Sequence, residues 1–223
     1  MSSPNNRIRI AVGTRNAHKL GEIREILRAR PEFEILGLDD LRIPYTPEED
    51  AIEEFVSFHQ NAAAKAIHYA RLTGLPTLAD DSGLAVDILG GAPGVHSKRF
   101  SGRADLTGRD LDRANNALLL DRLRDTPPER RSAHFICCAV LAFPHGPALS
   151  AIGTCTGRIA PEPRGSAGFG YDPLFLLPEL GLTFAELPPE EKNRRSHRAR
   201  AFRAIAAHAH GIAQAASRVA TAP

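Results

Sequence analysis

The sequence holds no stretch approaching about 18 consecutive apolar residues, so it offers no candidate for a membrane-spanning helix. The opening Met1-Ser2-Ser3-Pro4-Asn5-Asn6 leads into no apolar segment of signal length, and a cytoplasmic location is expected. Charge of one sign is scarce. The formal net charge is +2, with basic residues interleaved among acids, which argues against a nucleic-acid-binding surface. Cysteine is limited to three residues, an odd number, with Cys137 and Cys138 adjacent in an apolar run. Reduced, buried thiols suit that pattern better than a disulfide framework. No internal repeat is present, and the spacing Gly-x-x-x-x-Gly-Lys-Ser/Thr is missing, which excludes a P-loop nucleotide fold.

What is present is an ordinary globular composition, 43% hydrophobic and 24% charged over 223 residues. A chain this long buries roughly 70% of the surface its unfolded form exposes, enough for one large domain or two lobes around a cleft. Strand and helix signals alternate along it. Ile8, Ile10 and Val12 share one face of a strand over residues 7–12, which runs into the turn Gly13-Thr14-Arg15-Asn16. Leu20, Ile23, Ile26 and Leu27 follow at helical spacing until Pro31. Residues 33–36 predict a short strand and residues 39–50, with Pro44 and Pro47, an acidic loop. Ile52, Phe55, Phe58, Ala62, Ala66 and Tyr69 predict a second helix over 52–72, stopped by Thr73-Gly74-Leu75-Pro76.

Residues 77–79 read as a short strand that ends at Asp80-Asp81-Ser82-Gly83, and Gly90-Gly91-Ala92-Pro93-Gly94 as irregular turns. A helix is expected over 111–123. Two β-rich runs, 133–143 and 149–156, are joined by Pro144-His145-Gly146-Pro147 as an antiparallel hairpin. Residues 161–172 read as loop, and 194–220 as an alanine-rich helix with Ala199, Phe202, Ile205, Ala206 and Ala209 on its core face. The expected class is α/β with a mixed sheet.

Four segments carry chemistry. Thr14-Arg15-Asn16-Ala17-His18-Lys19 sits where a strand turns into a helix, whose unpaired N–H groups and positive dipole end suit a phosphate; Thr14 or Asn16 could equally be a helix cap. In Asp80-Asp81-Ser82-Gly83 two adjacent carboxylates repel, and a divalent cation, with hard oxygen ligands favouring magnesium, relieves that; a solvated acidic turn is the alternative. Glu48, Glu49 and Asp50 could supply a further carboxylate, or be plain exposed loop. Gly168-Phe169-Gly170-Tyr171-Asp172-Pro173 sets aromatic rings between glycines, where a base can stack on Phe169 or the rings can pack in the core. Lys192, His197 and Arg198 stand near a helix start, where their donors can meet a base carbonyl or a phosphate, or simply solvate a charged helix end.

In their order and separations these segments resemble the inosine triphosphate pyrophosphatase family, the xanthosine and inosine triphosphate pyrophosphatases that cleanse the nucleotide pool. The shared segments are Thr14 to Lys19, Ala79-Asp80-Asp81-Ser82-Gly83-Leu84 running on to Gly94, Gly168 to Pro173, and Glu191-Lys192 with Ser196-His197-Arg198. The resemblance covers nearly the whole chain. It implies an elongated mixed β-sheet with flanking helices, two lobes around a central nucleotide cleft, and a homodimer; residues 1–6 would be a flexible N-terminus and 7–221 a single two-lobed domain. By position it makes Asp81 the general base and a magnesium ligand and Lys19 a catalytic cation. Thr14, Arg15, Asn16, Ala17, His18 and Lys19 would hold the triphosphate, with Ser82 beside them. Asp80 flanks Asp81 as a further metal-side acid. Phe169, Gly170, Tyr171, Asp172, Lys192, His197 and Arg198 would hold the base, and Asn61 faces substrate. The remaining metal glutamate falls on Glu49 or Glu48, with Glu53 and Glu54 also open, because the segment from Glu49 to Asn61 is longer than in relatives. Arg15 replaces a usual glycine and His96 a frequent aromatic.

The implied activity is hydrolysis of ITP, dITP or XTP to the monophosphate and pyrophosphate with Mg2+, the partner being a small-molecule nucleotide, with no nucleic acid and no membrane. A pyrophosphatase of broader range, or a non-catalytic nucleotide- or RNA-binding module, is the competing reading.

Overall fold

The alternation of Ile8, Ile10 and Val12 becomes β1, Ile8–Val12, in the computed structural model, which describes residues 7–208 and 211. Asn16 then caps α1, Ala17–Leu27, its side-chain oxygen accepting from the Lys19 backbone N–H, and the helix buries Ile23, Ile26 and Leu27. β2, Phe33–Gly37, returns parallel to β1 with Ile10 opposite Ile35. Next come α2, Phe58–Thr73, and β3, Thr77–Val86, also parallel to β1. After α3, Gly108–Arg122, the chain forms β4, Ser132–Ala142, and β5, Ala148–Ile159. β6, Phe175–Leu177, and β7, Leu182–Thr183, follow antiparallel, before α4, Pro189–Arg195, and α5, His197–Ala207. The seven strands run in the order β2-β1-β3-β4-β5-β6-β7, so the α/β class and the mixed sheet hold.

Two compact units divide the described chain. The first takes residues 7–81, 137–153, 198–208 and 211; the second takes 82–136 and 154–197, so β3, β4 and β5 each contribute to both. In the first unit Ile10, Val12, Ile23, Leu141, Phe202 and Ile205 share one apolar cluster, while Ala62, Ala66 and Ala70 of α2 pack on Ala79, Val140 and Ala142. The second unit is built on Leu84, Leu119, Leu123, Phe135, Phe175 and Phe184. Each fully buried Leu, Ile or Phe contributes about 1.5–3 kcal/mol, which makes these clusters the dominant favourable term.

Several expectations are corrected. The acidic stretch is not all loop. Residues Pro47–Glu53 form a 3-10 turn, with the Thr46 and Glu49 side chains capping each other's backbone. The second helix begins at Phe58 rather than residue 52, because Ser57 caps it by accepting from the Gln60 N–H; Phe55 lies ahead of it and exposed. β3 runs ten residues, straight through the acid pair, where a strand of three was expected. Of the helix expected over 194–220, residues 194–195 instead end α4 and the described helix resumes as α5 at His197, because Ser196, with an extended ψ of 154°, breaks the ladder. Ala209 and residues 1–6 and 212–223 lie outside the described residues. The short strands β6 and β7 were not anticipated.

Candidate active site

Placing Asp80 and Asp81 inside a strand decides their chemistry, because successive side chains of a strand point to opposite faces. The two carboxylates therefore do not converge on one ion. Asp80 is buried on the face that meets α1 and α5. Its Oδ2 lies 3.2 Å from Lys19 Nζ and 3.1 Å from Arg198 Nη2, and it accepts from the Cys137 thiol at 3.8 Å. Arg198 donates through Nη1 to Glu22 at 2.5 Å, so one guanidinium joins two acids from distant parts of the chain. Burial by itself would raise the Asp80 pKa; the charges of Lys19, Arg198 and Lys65 overcome it and hold the carboxyl well below the usual range. Burial likewise opposes the charge on Arg198, and Asp80 and Glu22 more than restore it. Asp80 Oδ1 is buried without a hydrogen-bond partner.

Asp81, also buried, accepts on Oδ2 from Asn61 Nδ2 at 3.0 Å. Asn61 is locked in turn, its Oδ1 accepting from the Phe55 N–H and its Nδ2 donating to the Phe55 carbonyl. One turn along α2, Lys65 Nζ donates to the Asp80 backbone carbonyl at 2.5 Å, so the helix grips β3 at the acid pair by two polar side chains at i and i+4. Lys65 was missed from the sequence. The available signal was a lysine four residues after Asn61, on the edge of the face that buries Ala62, Ala66 and Tyr69.

At the turn after β1, Thr14 Oγ1 accepts from the Asn16 N–H, and Asn16 caps α1, so both serve as local caps at the helix end. Ala17 and His18 occupy the exposed first turn. Gly13 has a packing reason: a Cβ there would lie 2.6 Å from Tyr69 Cδ2. Arg15 reaches out of the turn to the acidic segment. It donates to both oxygens of Glu49, at 2.6 and 3.0 Å, and to the carbonyls of Ile43 and Pro44. Tyr69 donates its hydroxyl to Glu49 Oε2 at 2.6 Å. The Arg15 hydrogen bonds are the main reason the Glu49 pKa is lowered; burial, and then this carboxylate, raise that of Tyr69. Glu48 is exposed, its carboxyl lowered by its own backbone N–H and by the Thr46 hydroxyl.

In the second unit Phe169, Asp172 and Lys192, three of the residues expected to hold the base, come together, while Arg198 lies in the first unit. Lys192 Nζ lies 2.6 Å from Asp172 Oδ2 and 5.0 Å from the centre of the Phe169 ring. The same Asp172 oxygen accepts from the Phe169 N–H at 2.9 Å. Gly168, at φ +75°, is required there, since a Cβ would fall 2.1 Å from that oxygen. Tyr171 takes the alternative role: its ring is in the core and its hydroxyl donates to the Ser97 carbonyl. His197 is buried and stacks on Phe135 at 4.7 Å. Ser82 follows Asp81 on β3, half-buried.

The Ham1 family profile matches residues 10–208. The chain belongs to the Ham1 family. It is 48% identical over 200 residues to the dITP/XTP pyrophosphatase of Frankia alni, covering 89% of this chain and 96% of that one. It is 48% identical over 200 residues to the dITP/XTP pyrophosphatase of Geobacter sulfurreducens, covering 90% and 96%. Among solved structures it resembles a HAM1 protein from Coxiella burnetii, with a TM-score of 0.77 and 37% identity over 92% of this chain and 99% of that one.

Against this Ham1 background, the described residues contain no group of three or more His, Cys, Asp or Glu side chains arranged to hold a metal ion. Magnesium does not need such a cage. It keeps several waters and is held by one or two carboxylates, with substrate phosphates completing the shell. Asp81, a hard oxygen donor fixed by an amide, suits that role. Asp80 Oδ2 is committed to cations, and both oxygens of Glu49 are engaged by Arg15.

Proposed function

We propose that this chain hydrolyses non-standard purine nucleoside triphosphates, ITP, dITP and XTP, to the nucleoside monophosphate and pyrophosphate. The observation that carries the reading is the split of the acid pair. Asp80 is consumed by Lys19 and Arg198, while its neighbour Asp81 is held by the Asn61 amide, a hydrogen bond that orients a carboxylate without neutralising it. To Asp81 we assign orienting a water and taking its proton. The water oxygen bonds to the α-phosphorus, the bond from that phosphorus to the bridging oxygen breaks, and pyrophosphate leaves.

The triphosphate is assigned to the turn from Thr14 to Lys19. An ammonium has three donors, so the contact of Lys19 with Asp80 leaves it able to meet a phosphate oxygen as charge develops. Magnesium, when bound, would be held by Asp81 and would help neutralise the charge of the departing pyrophosphate. The base is assigned to the Phe169 face, to Gly170 and Asp172, and to Lys192 and His197. Donors such as Lys192 favour a 6-keto purine, because an adenine amino group would set donor against donor. Both Nη atoms of Arg198 are committed to carboxylates, so its assigned role moves from reading the base to holding Asp80.

The homodimer rests on the family resemblance, and sedimentation of the purified chain checks it. No described helix is long and apolar enough to cross a membrane. The deciding assay is pyrophosphate release from ITP, dITP, XTP, GTP and TTP with magnesium. Release confined to the first three supports the reading; equal release from all five indicates a broad pyrophosphatase, and none indicates a binding module.

A further inference from the structure

The glycine-rich segment assigned to the base is held from outside by a helix to which neither the motifs nor the proposed mechanism gave a role. α3 carries Asp112 and Asn116 at i and i+4, one turn apart on the same face. Asp112 Oδ2 accepts from the Gly170 N–H at 2.8 Å, and Asn116 Nδ2 donates to the Gly170 carbonyl at 3.1 Å. Both polar backbone groups of one residue are thus gripped by side chains more than 50 positions away in sequence. Gly170 adopts φ +61° with open space where a Cβ would be, so its glycine answers a backbone need rather than a packing one.

The consequences spread to both sides of Gly170. Phe169 precedes it, with its N–H on Asp172 Oδ2, the atom that also holds Lys192. Tyr171 follows it, anchored in the core through its hydroxyl on Ser97. With Tyr171 fixed, the orientation of the Gly170 peptide sets where the Phe169 ring and the Asp172 carboxylate stand. Asn116 gives an independent indication. It is 7% exposed, and its Oδ1 is buried with no hydrogen-bond partner. An apolar side chain would fill the same space without stranding an acceptor, so the worth of an asparagine there lies in its donation to Gly170.

We propose that Asp112 and Asn116 are positioning residues for base discrimination: by clamping the Gly170 peptide they present Phe169 and Asp172 to the purine in one geometry. The proposal rests on the reading that this segment binds the base. Its test is steady-state kinetics of Asn116→Leu, Asp112→Ala and Asp112→Asn with dITP and dGTP, together with melting temperatures. Losing one clamp bond, at the upper end of the worth of a neutral hydrogen bond, raises KM for dITP about tenfold and narrows the dITP-to-dGTP ratio of kcat/KM, with kcat changed less than about threefold. Asp112→Asn keeps an acceptor oxygen and restores most of the discrimination lost in Asp112→Ala. Variants that melt earlier but keep the wild-type KM and substrate ratio overturn the proposal and leave only a structural role. If Asn116→Leu does not fold, Asn116→Ala removes the same donation with less bulk, and the same ratio decides. A wild-type protein that does not distinguish dITP from dGTP overturns the base-binding reading itself, whereas a selective wild type with unchanged variants overturns only the clamp.

Discussion

Replacing Asp80 by asparagine removes one negative charge with almost no change of shape, and the structure sets what should follow. The carboxylate side chain has no exposure and shares Oδ2 between Lys19 and Arg198, whose own side chain is 2% exposed. Without the charge, Arg198 keeps Glu22, and Lys19 faces an amide. Breaking a buried ion pair from one side costs about 3–5 kcal/mol; the surviving Glu22 contact and the retained acceptor place this case near 3. For a chain of this length each kcal/mol moves the melting midpoint by about 2–4 °C, so a fall of about 6–12 °C is expected at pH 7.

The pH dependence has a definite sign. The Asp80 carboxyl is lowered from its ordinary value of 3.8, so the stability it contributes is fully present above that value and is lost as the pH falls below it toward the folded-state pKa. The Asp80→Asn variant should lack that acid-side decline. Calorimetry from pH 7 down to about 3 measures both effects. Asp81→Asn is the matched control, since Asn61 can still donate to the new amide oxygen. It should melt within about 1 kcal/mol of wild type and lose about 100-fold or more in kcat, the scale of a removed general base. Asp80→Asn melting with the wild type, or Asp81→Asn retaining turnover, would refute the division of labour between the two acids.

Three further outcomes follow from the geometry. Arg15→Ala removes the guanidinium from both Glu49 oxygens, leaving the Tyr69 hydroxyl on Oε2, and the half-saturating magnesium concentration for pyrophosphate release should fall about fivefold, the equivalent of about 1 kcal/mol for a partly exposed pair; an unchanged or raised concentration counts against Arg15 as a competitor for that carboxylate. Lys192→Met takes the ammonium from the buried Asp172 carboxylate and should cost about 3 kcal/mol in urea unfolding, while the double variant with Asp172→Asn should lose clearly less than the sum of the two single changes. Gly168→Ala forces a Cβ against Asp172 Oδ2 at a φ that disfavours side chains, with an expected loss of about 1–3 kcal/mol and a higher KM for dITP; wild-type values for both would remove the steric argument.

The site was legible where chemistry sits in short contiguous motifs. Thr14 to Lys19, Asp80-Asp81 and Gly168 to Asp172 stand out as candidates in the sequence, because strand ends, acid pairs and glycine-flanked aromatics leave a local signature. Errors of extent came from applying apolar spacing too literally. Ile52 and Phe55 fit a helical period, yet the Ser57 cap starts α2 after them, and Ser196 stops α4 although helical spacing continues. Charged residues inside a strand were read as its end; Asp80 continues β3 because Lys19 and Arg198 meet it there.

Local sequence by itself determined the α/β class, the alternation of β1, α1 and β2, the glycine stop of α2 and the motifs that place the chain in its family, since each depends on residues within a few positions of one another. Tertiary structure decided what the motif residues do. Asp80 and Asp81 are identical in type and adjacent in sequence, and only the pleat of β3 and the helices on its faces give one to cations and the other to an amide. Arg198 with Glu22, Arg15 with Glu49, and Asn116 with Gly170 are likewise partners across 34 to 176 positions. Such pairs have no local pattern, because they are set by how the helices pack on the sheet, and that packing is chosen by the whole apolar core.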